Sequence, residues 1–405
     1  MENNRNNYIV KNEQYQLEKY KRLRKHMNID NLNLDNIIER GVVPEMLQLI
    51  CYKKNAEIQI EILCILINFT TKGEDRVKYL LKLDILSYLF VNIESNNIDV
   101  KDKSLWLICN IVGNSYEIGS LVINRGIVKR LLLLYEFMSL SKNISWLIYN
   151  LCRLKPPPNM QDITQLFNIL RYYLLNNTDV KTKINAIHGI WKIYKIGYRA
   201  AFQQEIEIIK KLFELLEIKL LEGSYLKIVK IIKMCCSDPP KMRDYVRFGL
   251  IEAIEGIILK RFLFLWNVVL DIVYYISKDG YDWDIQKLNN SNILVEMTSY
   301  NGFYTEIKFL EVIYNTIKKM GDNTNPLFVN KFIQKFNLIR EEQECILIYV
   351  DCLELIFASD LSNYGFKLVF EAVGGIDFLK NAGKGSFDDN LKITRKAFGI
   401  LEKYF

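Results

Sequence analysis

Two pairs of residues combine an indole and a carboxamide at helical spacing: Trp106 with Asn110, and Trp146 with Asn150. Residues four apart lie on one face of an α-helix, one turn from each other. The second pair follows the first at the interval of a helical repeat, and Asn68 precedes Asn110 by a similar interval. If the helices that carry them stack at about 8–10 Å, the side chains form a ladder across neighbouring helices.

The chemistry of this ladder suits an extended basic peptide. An asparagine amide carries both hydrogen-bond donors and an acceptor, so it can hold a peptide backbone in an open conformation. Neighbouring indoles can accept the methylene stem of a lysine or arginine between them, at about 0.5–2 kcal/mol for each contact. The alternative is that the tryptophans are core residues and the asparagines pack helices together. A single pair would favour that alternative, whereas two pairs and a third asparagine favour binding.

The composition and the period of the sequence predict the helices that this ladder requires. The 405 residues include only 19 glycines and 7 prolines, about half the usual share and too few for folds with many tight turns. Apolar helical stretches recur at intervals of about 40 to 44 residues, which is typical of armadillo or HEAT repeats. Glycines that permit sharp bends precede short helices and favour armadillo repeats: Gly41, Gly126, Gly249 and Gly374. We therefore predict an all-α, right-handed armadillo-repeat superhelical solenoid.

Signatures of catalysis and of metal binding are few. The eight cysteines form no C-x-x-C pair, and the two histidines have no cysteine at zinc-ligand spacing. Without a secretory signal peptide, we expect these cysteines to be reduced core residues of an intracellular protein. Residues 383–386 (GKGS) lack the preceding glycine and strand of a phosphate-binding loop. We expect no enzymatic activity, no cofactor, no metal, no direct nucleic-acid contact and no membrane insertion.

The charge is concentrated at the start of the sequence. The net charge is +7, and residues 1–28 alone hold seven basic and three acidic side chains. The run Lys21, Arg22, Arg24 and Lys25 lies in a helical pattern, so it indicates either a partner-binding segment or a solvated helix face. We predict a basic segment over 1–28, followed by a solenoid of about nine to ten repeats over 29–405.

Longer motifs around the ladder resemble the importin-α (karyopherin-α) family. They are residues 36–44 (NIIERGVVP), 106–113 (WLICNIVG), 145–153 (SWLIYNLCR), 374–377 (GGID) and 402–405 (EKYF). The resemblance runs over nearly the whole chain. It implies a nuclear-import adaptor that shuttles between cytoplasm and nucleus, binds basic nuclear-localisation signals in a concave groove and links this cargo to importin-β. It also implies an export receptor at the C-terminal repeats.

By this resemblance, the signal groove is formed by seven residues: Asn68, Trp106, Asn110, Asn114, Asn143, Trp146 and Asn150. Glu61 matches a further polar position of the groove. The resemblance also assigns a shortened importin-β-binding segment, which in the family can fold back as an autoinhibitory pseudo-cargo, to Lys21, Arg22, Arg24 and Lys25.

The sequence departs from the family at several groove positions. Cys64 stands where the second repeat has a tryptophan, and Asn114 replaces an aspartate that pairs with a lysine of the signal. If the step from the first pair to the second is repeated once more, the fifth repeat holds the apolar Ala186 and Ile190. We therefore expect a single Trp–Trp slot and weaker lysine selectivity. The cargo hypothesis also requires that the face around this slot is not basic.

The second peptide site of the family is expected to be absent or very weak here. Its tryptophan and asparagine positions hold Asp271 with Tyr275 and Glu311 with Asn315, and Lys233 lies in the repeat before. These departures favour a runner-up hypothesis, an armadillo scaffold that binds a different partner. An enzyme and a helical-repeat RNA binder are less favoured, because base-reading side chains should recur in every repeat.

Overall fold

A computed structural model describes residues 2–27, 34–50, 55–114, 116–197, 205–303, 306–339, 342–359, 365–383 and 391–405. The regular secondary structure within these ranges is helical, with no strand. The chain divides into two compact units, Met1–Gln203 and Gln204–Phe405. The predicted boundary after residue 28 falls among residues 28–33, outside the described ranges.

The first unit contains twelve α-helices within its described residues, and a 3-10 helix, Met138–Leu140, precedes α10. Their bounds are α1 Glu2–Met27, α2 Leu34–Glu39, α3 Val42–Ile50, α4 Ala56–Thr70, α5 Glu74–Lys82, α6 Ile85–Asn92, α7 Ile98–Asn114, α8 Tyr116–Asn124, α9 Ile127–Leu134, α10 Ser141–Leu151, α11 Met160–Asn176 and α12 Val180–Lys195.

The second unit contains thirteen α-helices within its described residues, joined in part by short 3-10 turns. Their bounds are α13 Glu205–Leu215, α14 Tyr225–Cys236, α15 Pro239–Arg247, α16 Leu250–Leu259, α17 Leu263–Asp279, α18 Asp282–Asn290, α19 Ile293–Ser299, α20 Ile307–Met320, α21 Pro326–Ile333, α22 Gln343–Ala358, α23 Phe366–Ala372, α24 Gly375–Gly383 and α25 Leu391–Tyr404.

Longer helices stack side by side within each unit. In the first unit α1, α4, α7, α10 and α12 each pack against the next, and in the second unit α14, α17, α20, α22 and α25 do the same. Shorter helices, such as the pairs α5–α6 and α15–α16, precede the longer ones and pack on them. Two short helices and one long helix make up an armadillo repeat, so the prediction of an all-α armadillo fold is confirmed.

The predicted sharp bends lie at the turns between the short helices. Gly41, Gly126, Gly249 and Gly374 have φ angles of 66°, 82°, 105° and 87°, a left-handed conformation that glycine adopts without steric cost. Asp84 takes the same conformation between α5 and α6, with φ 53°. Aspartate is one of the few other residues that tolerate this region. No glycine therefore marks this bend in the sequence.

The longest apolar stretch of the sequence forms the greater part of α17. Its inward face is fully or almost fully buried, including Leu265, Val269 and Val273, whereas Leu263 and Phe264 are more than half exposed. Among the described helices, none combines the length and the hydropathy needed to cross a bilayer.

Most cysteine thiols in the described residues are buried. Cys64 is half-buried, six others are buried, and none of the seven is in a disulfide. Cys51 lies outside the described residues. Burial raises the pKa of the Cys109 thiol well above its ordinary value, with a smaller contribution from Asp102, and burial raises the pKa of Cys152 to about 12. These thiols are held in their neutral form.

Candidate functional site

The two tryptophans of the sequence motif line one cavity, of about 740 Å³, along the N-terminal halves of α7, α10 and α12. Trp106 is 39% exposed, and Trp146 is half-buried. Asn143, which the resemblance placed in the groove, lines the same cavity, together with Tyr149. We call this space the indole cavity.

The charge around the indole cavity is mixed. Its lining includes two carboxylates and three lysines: Asp99, Asp102, Lys103, Lys142 and Lys181. The Asp102 carboxylate is already engaged, since it accepts a 2.6 Å hydrogen bond from Asn143 Nδ2 and lies 3.2 Å from Lys103 Nζ. The Asp99 carboxylate is exposed and has no ion pair within the described ranges. Asp99 is therefore the anion that a bound cation can reach.

The asparagines of the motif tie neighbouring helices together. Asn110 Nδ2 donates to Thr70 Oγ1 of α4 at 2.9 Å and to the Ile67 carbonyl at 3.4 Å. Asn150 Nδ2 donates to the Cys109 carbonyl of α7 at 3.3 Å. The sequence suggested these amides either as clamps for a peptide or as helix-packing groups. Because a carboxamide has two N–H groups, Asn150 retains a second donor for a ligand, whereas both donors of Asn110 face α4.

A further asparagine, which the sequence pattern did not indicate, also ties neighbouring helices together. Asn185 of α12 lines the indole cavity and donates to the Lys142 carbonyl at 3.3 Å and to Ser145 Oγ at 3.2 Å. Asn143 makes the equivalent contact one helix earlier, to the Asp102 carbonyl at 3.2 Å. Asn143 precedes Trp146 by about one helical turn, and Asn185 precedes His188 by the same number of residues. This shared spacing is the sequence signal that could have identified Asn185.

The prediction that Ala186 and Ile190 are the groove positions of the fifth repeat, made by repeating the step between the first two pairs, is wrong. Ala186 and Ile190 are fully buried and face the core. His188 lines the indole cavity instead, with its ring centroid 5.7 Å from that of Tyr149. An imidazole therefore extends the series of cavity-lining rings beyond the two tryptophans.

A smaller cavity, of about 290 Å³, lies at the C-terminal ends of α7 and α10. Two predicted groove residues, Asn114 and Asn150, line it, together with Tyr116 and Arg153. Asn114 Nδ2 donates to the Asn110 carbonyl at 2.6 Å. The guanidinium carbon of Arg153 lies 5.6 Å from the Tyr149 ring centroid. We call this space the arginine cavity.

The ladder continues on α4 without an indole. Cys64 and Asn68 are both half-buried there, and neither lines the two cavities. Glu61, one turn earlier, is 9% exposed, and its Oε2 lies 3.0 Å from Arg24 Nε of α1. A cation of the chain itself thus faces the carboxylate at this end of the ladder.

The basic segment is part of a helix that packs on α4. Tyr20 of α1 is fully buried, and its hydroxyl donates to Glu45 Oε1 at 3.1 Å. Burial, with Glu45 nearby, raises the pKa of Tyr20 well above its ordinary value. Arg22 and Lys25 are exposed.

In the second unit, ion pairs occupy positions that the resemblance assigns to a second peptide site. Lys233 of α14 and Lys308 of α20 both contact the Asp271 carboxylate of α17. Burial opposes ionisation of Asp271, but the hydrogen bonds from the two lysines outweigh it and hold its pKa below the ordinary value. A cavity of about 410 Å³ beside Asp271 is lined mainly by polar side chains, including Glu306 and Glu342.

Solved structures with the same fold include two engineered proteins. The crystal structure of one engineered protein matches with a TM-score of 0.64 at 15% sequence identity, over 95% of this chain and 94% of that one. A computationally designed armadillo repeat protein for modular peptide recognition matches with a TM-score of 0.50 at 20% identity, over 57% of this chain and 99% of that one. The stacked helix triplets and these matches define an armadillo-repeat protein.

Within this class, the sequence is similar to importin-α subunits, as its motifs indicated. Importin subunit alpha-2 of Arabidopsis thaliana is 25% identical over 208 residues, which is 50% of this chain and 38% of that protein. Importin subunit alpha-8 of the same plant is 27% identical over 185 residues, 45% and 41% of the two chains. Importin subunit alpha-1b of Oryza sativa is 26% identical over 160 residues, 38% and 30%.

These alignments show a divergent chain that is similar to importin-α subunits over part of its length. No family model matches the sequence. The alignments span about a third to two fifths of the length of these three relatives. The resemblance to importin-α is confirmed over 38% to 50% of this chain in these three alignments, and the armadillo fold that it implies is confirmed for both units.

Proposed function

We propose that the first unit binds an extended peptide across α7, α10 and α12, with a basic side chain of the peptide between Trp106 and Trp146. The observation that carries this proposal is that both indoles line the cavity that also contains the Asp99 carboxylate. On this basis the chain acts as a nuclear-import adaptor for basic localisation signals. It is a binding protein with no chemistry of its own.

The geometry supports a cationic ligand residue by two kinds of contact. The indole faces accept a methylene stem and an adjacent ammonium group, and Asp99 supplies an anion that is free of ion pairs within the described residues. Each cation–π contact contributes about 0.5–2 kcal/mol, whereas micromolar binding needs about 8 kcal/mol. Several peptide residues must therefore be engaged, including backbone contacts to the second N–H of Asn150.

A titration of a fluorescein-labelled, lysine-containing peptide tests the groove. We expect the double variant Trp106→Ala/Trp146→Ala to weaken binding at least tenfold, because it removes both walls of the slot. The matched control is Trp283→Ala, which removes an indole that is 53% exposed on α18 of the second unit. Equal affinities of the wild type and the double variant would show that the peptide binds elsewhere.

We further propose that the adaptor contacts importin-β through basic residues of α1 that face solvent fully or in part, namely Lys21, Arg22 and Lys25. Arg24 is less accessible to a partner, because it pairs with Glu61. A pull-down with importin-β should lose the complex when these three residues are changed to glutamate. Nuclear accumulation of the chain, and its return through an export receptor at the C-terminal repeats, form part of the same proposal and can be followed with a fluorescent fusion.

A second candidate, an armadillo scaffold for another partner, is favoured by the packing of α1. Importin-β could use the whole of α1 only if the helix left α4 and exposed Tyr20 and Met27, which are 0% and 2% exposed. A scaffold needs no such release. The test is a variant in which α1 is fixed to α4, for example by a disulfide. If this variant still binds importin-β, binding does not require α1 to leave α4.

A further inference from the structure

We infer that the peptide bound by the first unit carries an acidic side chain directly next to its basic residue, and that Arg153 and Asn114 bind this carboxylate. The inference rests on the proposed peptide site and specifies the ligand that this site selects. It concerns the arginine cavity, which the slot between the two indoles does not use.

The walls of the arginine cavity can donate hydrogen bonds to an anion. Its lining residues are Val112, Gly113, Asn114, Tyr116, Asn150, Arg153 and Leu154, none of which is acidic. Arg153 is exposed, and no carboxylate pairs with it in the part of the chain that the structure describes. A neutral oxygen, Asn150 Oδ1, lies 3.5 Å from its Nη1. A guanidinium favours planar, bidentate contact with a carboxylate.

The two cavities follow each other along α7 and α10: the indole cavity is lined mainly by the N-terminal halves of these helices, and the arginine cavity by residues at their C-terminal ends. On α10, Tyr149 lines the indole cavity, whereas Asn150 and Arg153 line the arginine cavity. An extended peptide that crosses α7 and α10 at the level of Asn110 and Asn150 directs successive side chains to opposite sides. Neighbouring residues of the peptide therefore enter different cavities.

Charge decides which residue suits the second position. A second lysine would place its ammonium group beside Arg153, at a position where Asn114 offers an amide and no carboxylate. An aspartate or glutamate would instead make a charge-assisted hydrogen bond with Arg153, which is about twice as strong as a neutral one. The indole cavity, lined by three lysines and two carboxylates, supplies no excess of negative charge that would favour a second cation.

Fluorescence anisotropy with a matched peptide series tests the inference. The peptides share an uncharged background of about eight residues, enough to cross both cavities in an extended conformation, with one central lysine, and the next residue is aspartate, asparagine or lysine. A second set places the variable residue before the lysine, because the chain direction is open. A third pair ends one residue after the lysine with a free or an amidated terminus, which separates a side-chain carboxylate from a terminal one.

For the wild type, we expect the aspartate peptide of one set to bind roughly fivefold more tightly than the asparagine peptide, and the lysine peptide to bind most weakly. Arg153→Gln should reduce the aspartate-to-asparagine ratio below twofold. Asn114→Asp should reverse the order in favour of lysine. The control Lys129→Gln removes one positive charge from α9, where it lines neither cavity, and should keep the wild-type ratio.

The outcomes separate this inference from the proposal on which it rests. If lysine peptides bind and Trp106→Ala/Trp146→Ala weakens them, but Arg153→Gln leaves the aspartate-to-asparagine ratio unchanged, the inference is wrong and the peptide site stands. A preference for the free terminus over aspartate would also overturn it. If the double tryptophan variant does not weaken any peptide, both the site and the inference are wrong.

Discussion

Arg24 of α1 lies with its Nε 3.0 Å from Glu61 Oε2 of α4, so the basic segment is tied to a residue that the resemblance placed in the groove. The contact is one of several between α1 and the helices that follow, since Lys19 Nζ also lies 2.7 Å from Glu45 Oε1 on α3. Helix α1 therefore occupies the place of a first stacked helix beside α4, and its basic residues belong to a folded element.

The packing of α1 predicts opposite outcomes for two tyrosines of the same helix. Tyr20→Ala should lower the free energy of unfolding by about 3–4 kcal/mol, because Tyr20 is fully buried and bonded to Glu45. Tyr15→Ala should change it by less than about 0.5 kcal/mol, because Tyr15 is 69% exposed. Urea unfolding measures both, and hydrogen exchange of residues 12–27 reports whether α1 is released. Equal effects of the two substitutions would contradict the docked position.

The ion-pair cluster of the second unit predicts a stability loss on removal of its central anion. Asp271→Asn leaves Lys233 and Lys308 facing each other and should cost about 1–2 kcal/mol at pH 7, after allowance for partial exposure. The pKa of Asp271 is below its ordinary value of 3.8, so its contribution is complete above that value and is lost as the pH falls through the lower, folded-state pKa. The difference between variant and wild type should therefore shrink below about pH 4.

A control for this cluster lies on the same unit. Asp377 has a side chain that is 83% exposed, and its carboxylate is 3.9 Å from Lys380. Asp377→Asn should alter the unfolding free energy by less than about 0.5 kcal/mol at pH 7. If Asp271→Asn behaves like this control, the three stacked helices do not depend on the cluster.

A close contact between α11 and α12 predicts that a methyl group on one glycine must displace a neighbouring leucine side chain. A Cβ on Gly189 of α12 would lie 2.5 Å from Leu170 Cδ1 of α11. Gly189→Ala should cost about 1–3 kcal/mol of unfolding free energy and should weaken peptide binding, because His188 moves with the backbone. Gly399→Ala in α25 is the control, since its Cβ would meet no atom within 4 Å and alanine favours the helix by about 0.5–1 kcal/mol.

The half-buried thiol on α4 predicts a labelling pattern. Cys64 should react with a soluble disulfide reagent much faster than the six buried thiols, which include Cys109 and Cys152. A peptide whose path continues from α7 onto α4 should slow the reaction of Cys64 at saturating concentration. The Cys64→Ser variant identifies its share of the signal. An unaltered rate at saturation would limit the peptide to α7, α10 and α12.

The helical class, the repeat and the bends could be predicted from the sequence, because each follows from a local rule. Scarce glycine and proline exclude many tight turns, and a glycine such as Gly126 marks a bend wherever φ must be positive. The indole cavity could be predicted in part for the same reason. Trp106 and Trp146 each precede an asparagine by four residues on neighbouring long helices, so their spacing carried the information.

The fifth repeat could not be placed correctly, because the period changes there. The ring that α12 contributes to the indole cavity is His188, two positions beyond the place that the step from Trp106 to Trp146 predicts. An error of two residues rotates a helix by about 200° and exchanges its exposed and buried faces. That rotation explains why the buried Ala186 and Ile190 were expected on the groove.

The ion-pair cluster of the second unit was hidden for a different reason. The contacts of Asp271 with Lys233 and Lys308 join residues more than 35 positions apart. Local spacing carries no information about which charged side chains meet across stacked helices. The sequence showed only that Asp271 and Glu311 stand at positions to which the resemblance assigns tryptophan.

The hydrogen bonds of the asparagines across neighbouring helices change what such residues reveal about a distant relative. Replacing Asn110 or Asn150 would loosen the stacking of two helices as well as alter a ligand contact. Selection for a stable fold therefore retains them even in a lineage that has stopped binding peptides. The indole of Trp106 is 39% exposed at the surface of its cavity and contributes less to the packing of neighbouring helices. In divergent sequences of this kind, an exposed indole such as that of Trp106 is the better indicator of whether the binding function persists.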